Sequence, residues 1–415
     1  MLNKGKEFYY NLAGISFIIG LFVQDFFKIP LTLGIIIFGL TWIFSFDYQE
    51  KLKQLKRSPI ALSFLVFYIL HLISILYTED LSAGWNDIRL KLTLLIFPFF
   101  FLTTTSISLK IRERLLALFV FLCLGMAGID LMISTSEYLS TGDSNVFYYK
   151  NLVHLLKGKP HYSSWYYLFA IFVAFYQATR SHHKRYLWLL ASVFLVVNLI
   201  LLSSRIHLLA LVIVFIIALV KYLSKRQMTS RYWLRITLVG SLFIGTLYLI
   251  PNTRSRIQDS VVELNKLLGA EDHRQTNPRV YIWKYAAEII AEAPVMGYGV
   301  GDAKHKLQLA LLDCDAKFWD GEKNVPLHHK SLNYHNQFMQ SWAEIGLLGF
   351  LLLAFIMILP FTEKGHHPLL LIFIGISLFG FLTESVFERQ AGVVFFAFMY
   401  PFLYGLQQKA PKKVD

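Results

Sequence analysis

The sequence predicts an all-α fold, a polytopic membrane bundle of about twelve transmembrane helices with one large helical loop on its outer side. Of its 415 residues, 55% are hydrophobic and only 16% charged, whereas a soluble domain carries about 25% charged residues. The mean hydropathy of +0.50 is concentrated in nearly charge-free runs, long enough for the ~20 apolar residues that a bilayer core demands. Lysine and arginine gather in alternate gaps between these runs. Together these features exclude a water-soluble globule and a disordered chain.

The first run, 8 to 27, follows Lys4 and Lys6 and has no small-residue cleavage site after it, so it reads as an uncleaved span. Further spans are expected near 30–46, 60–77, 90–106, 115–133, 161–179, 186–203, 206–223, 234–250, 338–360, 368–383 and 391–407. Twelve crossings put both termini on one side. With the N-terminus inside, the inner segments hold 21 basic residues, including Lys51, Lys53, Lys56 and Arg57. The short outer loops hold eight: Lys28, Arg89, Lys91, Lys150, Lys157, Lys159, Arg205 and Arg389. Because basic residues accumulate on the cytoplasmic side, both ends are expected in the cytoplasm.

The same distribution explains the net charge of +13 as a topology signal. Nucleic-acid binding is disfavoured, since the large outer segment 251–336 has eleven Lys/Arg against eleven Asp/Glu and attracts no polyanion. Two cysteines, Cys123 and Cys314, define neither a disulfide framework nor a thiolate metal site. The chain therefore divides into 1–250, holding helices one to nine, the outer loop 251–336, and 337–415 with the last three helices and a tail.

The outer segment is long for a connection and patterned like structure. Ile257, Val261, Leu264 and Leu268 fall at helical spacing. Asn277-Pro278-Arg279 has the form of a helix start, with Asn as cap and Pro at the first helical position. Ile282, Ala286, Ile289 and Ala293 then form one face, ended by Pro294. Gly297-Tyr298-Gly299-Val300-Gly301 reads as a tight turn rather than a phosphate cradle, because no nucleotide fingerprint accompanies it; Asp302 to Leu312 follows as a short helix.

Several polar residues stand where they are costly. Arg205, in Leu201-Leu202-Ser203-Ser204-Arg205-Ile206, is pinched between two apolar runs on the outer side. Arg279 puts a cation in the first turn of its helix, against the helix dipole, a conflict that a bound anion would relieve. His335 stands in Asn333-Tyr334-His335-Asn336-Gln337-Phe338, where the loop re-enters the bilayer, and a histidine there can act as a general base. Glu344, nine residues on and on the opposite helix face, is not the obvious partner that would orient it. His161, Tyr162, Glu384, Glu388 and Arg389 are outward polar groups that suit packing or ion pairs better than catalysis; His161, Tyr162 and Arg389, with Trp283 and Asn336, are the outer-side candidates for substrate contact. His305, Cys314, His328 and His329 match no standard zinc spacing, and no metal site is assigned.

Taken in order, these motifs resemble the O-antigen ligase and polymerase superfamily of bacterial membrane glycosyltransferases. The resemblance rests on Ser203-Ser204-Arg205, Arg279-Val280-Tyr281-Ile282-Trp283, Gly297-Tyr298-Gly299, His335-Asn336-Gln337-Phe338 and Glu344-Ile345-Gly346-Leu347-Leu348-Gly349. Lys159-Pro160-His161-Tyr162 is similar to the family's His/Pro/Tyr element with the order changed. The resemblance implies a GT-C-type fold in the bacterial inner membrane. It also implies a glycan donor on undecaprenyl pyrophosphate and transfer on the periplasmic face, without cofactor, metal or nucleotide sugar. By motif position Arg205 and Arg279 take the places of the family's two essential arginines, and His335 that of its histidine. The acceptor expected of a ligase is a sugar hydroxyl of lipid A-core. A polymerase extending lipid-linked repeats, a protein O-oligosaccharyltransferase and, from another class, a secondary transporter are the alternatives; the last lacks its usual two-half symmetry here.

Overall fold

The computed structural model describes residues 2–103, 107–181, 183–223, 278–312, 317–319, 324–329, 332–363 and 365–406. The ninth expected span, the expected helix at 256–268 and the cap at Asn277 lie outside these residues. The described chain is almost wholly helical, with one two-stranded antiparallel ribbon, β1 (Lys317–Trp319) and β2 (Asn324–Pro326), that the sequence reading did not foresee. The chain forms two compact units, residues 1–118 with 272–415, and residues 119–271.

The first unit opens with a helical hairpin, α1 (Leu2–Val23) and α2 (Ile29–Ile43). Glycines allow the close approach: a Cβ on Gly20 would lie 2.4 Å from the Leu31 nitrogen, and one on Gly34 2.7 Å from Phe17. The segment 47–57, expected as a basic loop, is instead a helix, α3 (Tyr48–Arg57), bent 108° from α2. Its lysines obscured the helical spacing of Leu52 and Leu55, and Lys51 is buried, its ammonium over the rings of Trp42 and Tyr48. Next come α4 (Pro59–Ser74), capped by Ser58, then α5 (Leu81–Lys91), capped by Asp80, and α6 (Thr93–Thr103). The expected span at 90–106 is thus shared between two helices, with a break at Leu92.

The boundary between the units falls within α7 (Leu109–Thr141), after Leu118. Returning to the first unit after residue 272, the chain forms α11 (Pro278–Glu292), α12 (Ala303–Ala310), α13 (Gln337–Thr362), α14 (Pro368–Phe381) and α15 (Gln390–Tyr404). Helices α1, α2, α6 and α15 share an aromatic core in which Phe17 stacks on Phe398 with centroids 4.2 Å apart and Phe38 meets Phe100 at 4.6 Å.

The second unit holds α8 (Pro160–Arg180), α9 (Arg185–Leu201) and α10 (Arg205–Leu223). Helix α8 is buried along most of its length and packs on α9. The segment 142–159 is folded against the end of α7: Asp130 accepts from the amides of His154 and Leu155, both at 3.0 Å, and Ser134 donates to the Val146 carbonyl.

Among the described residues, three helical stretches are long and apolar enough to cross a bilayer, Pro59–Tyr77, Leu109–Thr141 and Gln337–Thr362, or four if the bent α2–α3 pair counts as one. Other apolar helices are shorter, at 10–17 residues, so the structure supports a membrane protein of several apolar helices, and its described residues bear out three or four full-length crossings of the twelve expected. Apolar stripes face outward on these helices: Leu33, Ile36, Leu40 and Ile43 on α2, and Leu348, Leu351, Phe355 and Ile358 on α13, are exposed. Stripes of this kind are what lipid-facing surfaces present.

Candidate functional site

The residues expected to matter in the outer segment and its re-entry are gathered in the first unit. Helix α11 starts at Pro278 as expected, because its fixed backbone suits the first helical position. Its apolar face, Ile282, Ala286, Ile289 and Ile290, is buried against Ala303 and Leu307 of α12, Leu311 at its C-cap, and Leu327, Tyr334 and Ala343. This packing brings Trp283 to the re-entry point, where its indole N–H donates to the Tyr334 carbonyl at 3.1 Å. Arg279 lies four residues before Trp283, one turn away on the same face, and is partly buried.

Tyr334 is held at every polar group. Its amide donates to Gln340 Oε1 at 3.3 Å, its carbonyl takes the Trp283 indole, and its buried hydroxyl donates to the Ala303 carbonyl at 2.8 Å. Its hydroxyl pKa is raised, chiefly by burial and then by the negative charge of Glu344, so it remains a donor. His335, next in the chain, has φ +46°, in the left-handed region that non-glycine residues seldom adopt. Such a conformation persists where the surroundings over-determine it. The His335 amide donates to Asn333 Oδ1 at 3.0 Å, and its ring Nδ1 lies 3.2 Å from Glu384 Oε2. The ring is about a quarter exposed.

The partner for His335 is therefore Glu384, 49 residues away and just beyond the C-terminus of α14. Asn336 is the N-cap of α13, its side-chain oxygen accepting from the amides of Phe338 and Met339 at 2.9 and 3.1 Å. Gln337 ties this helix start to the turn before α15 by accepting from the Phe387 amide at 2.7 Å. Arg389, at the start of α15, is exposed.

Helix α13 breaks after Glu344, where Ile345 and Gly346 leave helical geometry, Gly346 having φ +72°. The glycine loop fills the break. Tyr298 and Gly299 donate their amides to the carbonyls of Ala343 and Glu344 at 2.8 and 2.9 Å, and the Leu347 amide donates to the Pro294 carbonyl at 2.9 Å. The glycines have no room for side chains: a Cβ on Gly297 would lie 2.6 Å from the Ala343 oxygen, and one on Gly299 2.3 Å from Thr78 Oγ1. This loop also docks on the corner between α4 and α5, where Asp302 accepts the amides of Glu79 and Asp80 at 2.7 and 3.0 Å. The three glycines serve a structural interlock, in keeping with the tight-turn reading.

Beneath the turn lies a feature the sequence reading missed. Lys91, counted there as an outward loop cation, is fully buried and 2.6 Å from both Asp87 Oδ2 and Glu344 Oε2, with Glu388 Oε1 at 3.7 Å. His71 Nε2 is 3.4 Å from Glu344 Oε2. The available signal was the presence of ionisable residues at Lys91 and Glu344 inside or beside apolar runs. Asp87, Glu344 and Glu388 bring carboxylate oxygens within 4.8 Å of one another, a spacing that could hold a cation, but the Lys91 ammonium already lies among them. Of the four residues considered for zinc, Cys314 and the His329 side chain lie outside the described residues.

In the second unit, Arg205 is the first residue of α10 and partly buried, following a turn in which Ser203 has φ +48°. His207, one of the residues not singled out from sequence, is fully buried; its Nδ1 lies 2.8 Å from Ser204 Oγ and its ring 4.7 Å from that of His161 at the start of α8. Tyr162 is buried beside His161. A cavity of about 210 Å³ in the first unit is lined by Gln54, Arg57, Ser58, Leu102 and Tyr404, none of which is a candidate site residue.

Comparison with known proteins bears on these residues. Residues 190–354 match the O-antigen ligase family. A protein of Rickettsia conorii that carries the provisional name polysaccharide ligase is 32% identical over 87 residues, 20% of this chain and 20% of that protein. An uncharacterized protein of Haemophilus influenzae is 25% identical over 209 residues, 44% of this chain and 47% of that one. The chain thus matches less than half the length of either relative. The resemblance read from the motifs holds: over residues 190–354, which include Arg205, Arg279, Trp283, His335 and Asn336, this chain is similar to the O-antigen ligase family.

Proposed function

We propose that this protein is an O-antigen ligase-like glycosyltransferase of the bacterial inner membrane. It would move a glycan from undecaprenyl pyrophosphate to a sugar hydroxyl of lipid A-core on the periplasmic face. The family match and the polysaccharide-ligase relative support the reaction class. The observation that carries the assignment of a base is His335 beside Glu384. A carboxylate on Nδ1 fixes the ring tautomer and leaves Nε2 to take a proton, the arrangement by which histidine serves as a general base.

In the reaction the acceptor oxygen attacks the anomeric carbon of the donor as His335 Nε2 removes the hydroxyl proton. The bond from that carbon to the pyrophosphate oxygen breaks, with inversion, and the electron pair leaves on the pyrophosphate. Arg279 and Arg205 are assigned to that developing charge by residue type and motif position, since guanidinium groups match phosphate oxygens bidentately and preorganised cations act most where charge appears. In this reading the outer segment 251–336 is periplasmic and both termini are cytoplasmic.

The test is transfer from a lipid-linked glycan to lipid A-core by the purified protein. Turnover is expected to survive a chelator and to fall by about 10²-fold or more in His335→Ala and Arg279→Ala, with Arg205→Ala similarly impaired and Glu384→Gln reduced by about tenfold. Full turnover in all four variants would overturn the assignment. Chain extension of lipid-linked repeats without transfer to lipid A-core would instead identify a polymerase.

A further inference from the structure

The buried ion pair below the His335 turn takes no part in the reaction as written, yet it is connected to that turn by an unbroken series of hydrogen bonds. Glu344 Oε2 accepts from Lys91 at 2.6 Å, and Glu344 Oε1 accepts from Gln340 Nε2 at 2.7 Å. Gln340 Oε1 accepts in turn from the Tyr334 amide at 3.3 Å. We propose that Lys91 and Glu344 are positioning residues that hold His335 in its left-handed conformation through Gln340 and Tyr334; this rests on His335 being the base.

Three features point this way. The first is chemical direction. An ionised carboxylate only accepts hydrogen bonds, so it compels Gln340 to present its NH₂ to Glu344 and its oxygen to Tyr334. A neutral group at 344 would let that amide turn over and abandon the Tyr334 amide. The second is mechanical. Because α13 breaks at Ile345 and Gly346, the stretch from Gln337 to Glu344 is not held in line by the long helix beyond it. Its placement depends on anchors to other elements: the glycine-loop amides on the Ala343 and Glu344 carbonyls, and side-chain ties that end with Glu344 on Lys91. The third is electrostatic. Glu344 and Lys91 are each 1% exposed or less, and a charge so buried is retained only with a partner of opposite sign and close geometry. Lys91 comes from α5, 253 residues away in sequence, so the pair ties the re-entry point to a separate helix.

The test uses the full-length protein and the transfer assay above, with Glu344→Gln, and with Gln340→Leu as a second variant that leaves the ion pair intact. Each is expected to lower kcat by about tenfold or more, while the donor KM stays within about twofold. In a His335→Ala background the same substitutions are expected to change the residual rate by less than about twofold, because a residue acting through another adds nothing once that residue is gone. Wild-type kcat in both variants would overturn the proposal, as would an equal loss with and without His335, which marks a general folding defect. Should Glu344→Gln fail to fold, Gln340→Leu gives the same reading alone. Full turnover in His335→Ala would overturn the base assignment and this proposal with it, whereas loss there but not in Glu344→Gln or Gln340→Leu would overturn the positioning role alone.

Discussion

At the scale of single residues, the candidate site combines groups that sequence could name with pairings it could not. The sequence singles out His335 and Arg279, because a histidine at a membrane re-entry and a cation in a helix's first turn each break a local rule. It names Glu384 as suited to an ion pair but not its partner His335, 49 residues away, and it takes Lys91 for a loop charge because Glu344 stands 253 residues away. Asn336 and Trp283, read from sequence as substrate contacts, have polar groups engaged in capping α13 and holding Tyr334. Glu388, in the short turn before α15, gives a pH-dependent prediction. Burial, the largest influence, pushes its carboxyl up to about 7 against the pull of Lys91, with Glu344 adding repulsion. A folded-state value above the unfolded one means that the folded protein holds the proton longer. That contribution to stability is fully present below about pH 4.3, the ordinary value, and is lost as pH rises through about 7. Glu388→Gln cannot ionise, so between pH 5 and 8 the melting temperature of the purified wild type should fall relative to that of the variant. Parallel curves would show that Glu388 does not titrate in this range.

At the scale of elements, the starts of α11 and α12 were readable because Pro278 and the glycine turn mark local backbone chemistry. Helix α3 was hidden by its lysines, and the break in α13 by continuous hydropathy: Ile345-Gly346-Leu347-Leu348 looks like an uninterrupted span. What breaks the helix is an interlock with a loop distant in sequence, whose amides replace the helical partners lost at Ala343 and Glu344. The interlock has no space for a methyl group. A Cβ on Gly346 would stand 1.9 Å from the Val295 carbonyl oxygen, at a φ of +72°, whereas one on Gly375, inside α14, meets nothing within 4 Å. Gly346→Ala should therefore destabilise the protein by about 3 kcal/mol or more. Gly375→Ala should be neutral or stabilising by up to about 1 kcal/mol, since alanine is the better helix former. Thermal unfolding of the two purified variants in detergent measures the contrast. A Gly346→Ala protein as stable as wild type would mean that the loop does not fill the break as described.

At the scale of the whole molecule, the membrane class follows from composition and is carried in the structure by outward apolar stripes on α2 and α13. The number of crossings was less legible. Hydropathy windows run through helix breaks, and so joined the end of α5 to α6 into one expected span, where the structure interrupts the helix at Leu92. Orientation rests on the basic residues alone, and it decides on which side a reaction at His335 would occur. Lys53 on α3 and His305 on α12 are both exposed, and the charge distribution puts them on opposite sides. In a chain with Cys123→Ala and Cys314→Ser, a cysteine replacing His305 should react with a membrane-impermeant maleimide in intact cells. One replacing Lys53 should react only after the inner membrane is opened. The reverse pattern would turn the His335 face toward the cytosol and defeat a periplasmic transfer, even if the residues themselves proved essential. Labelling of both positions in intact cells would indicate that α3 is not an inner-face helix, leaving Lys51, Lys53, Lys56 and Arg57 without the topological role that their accumulation implies.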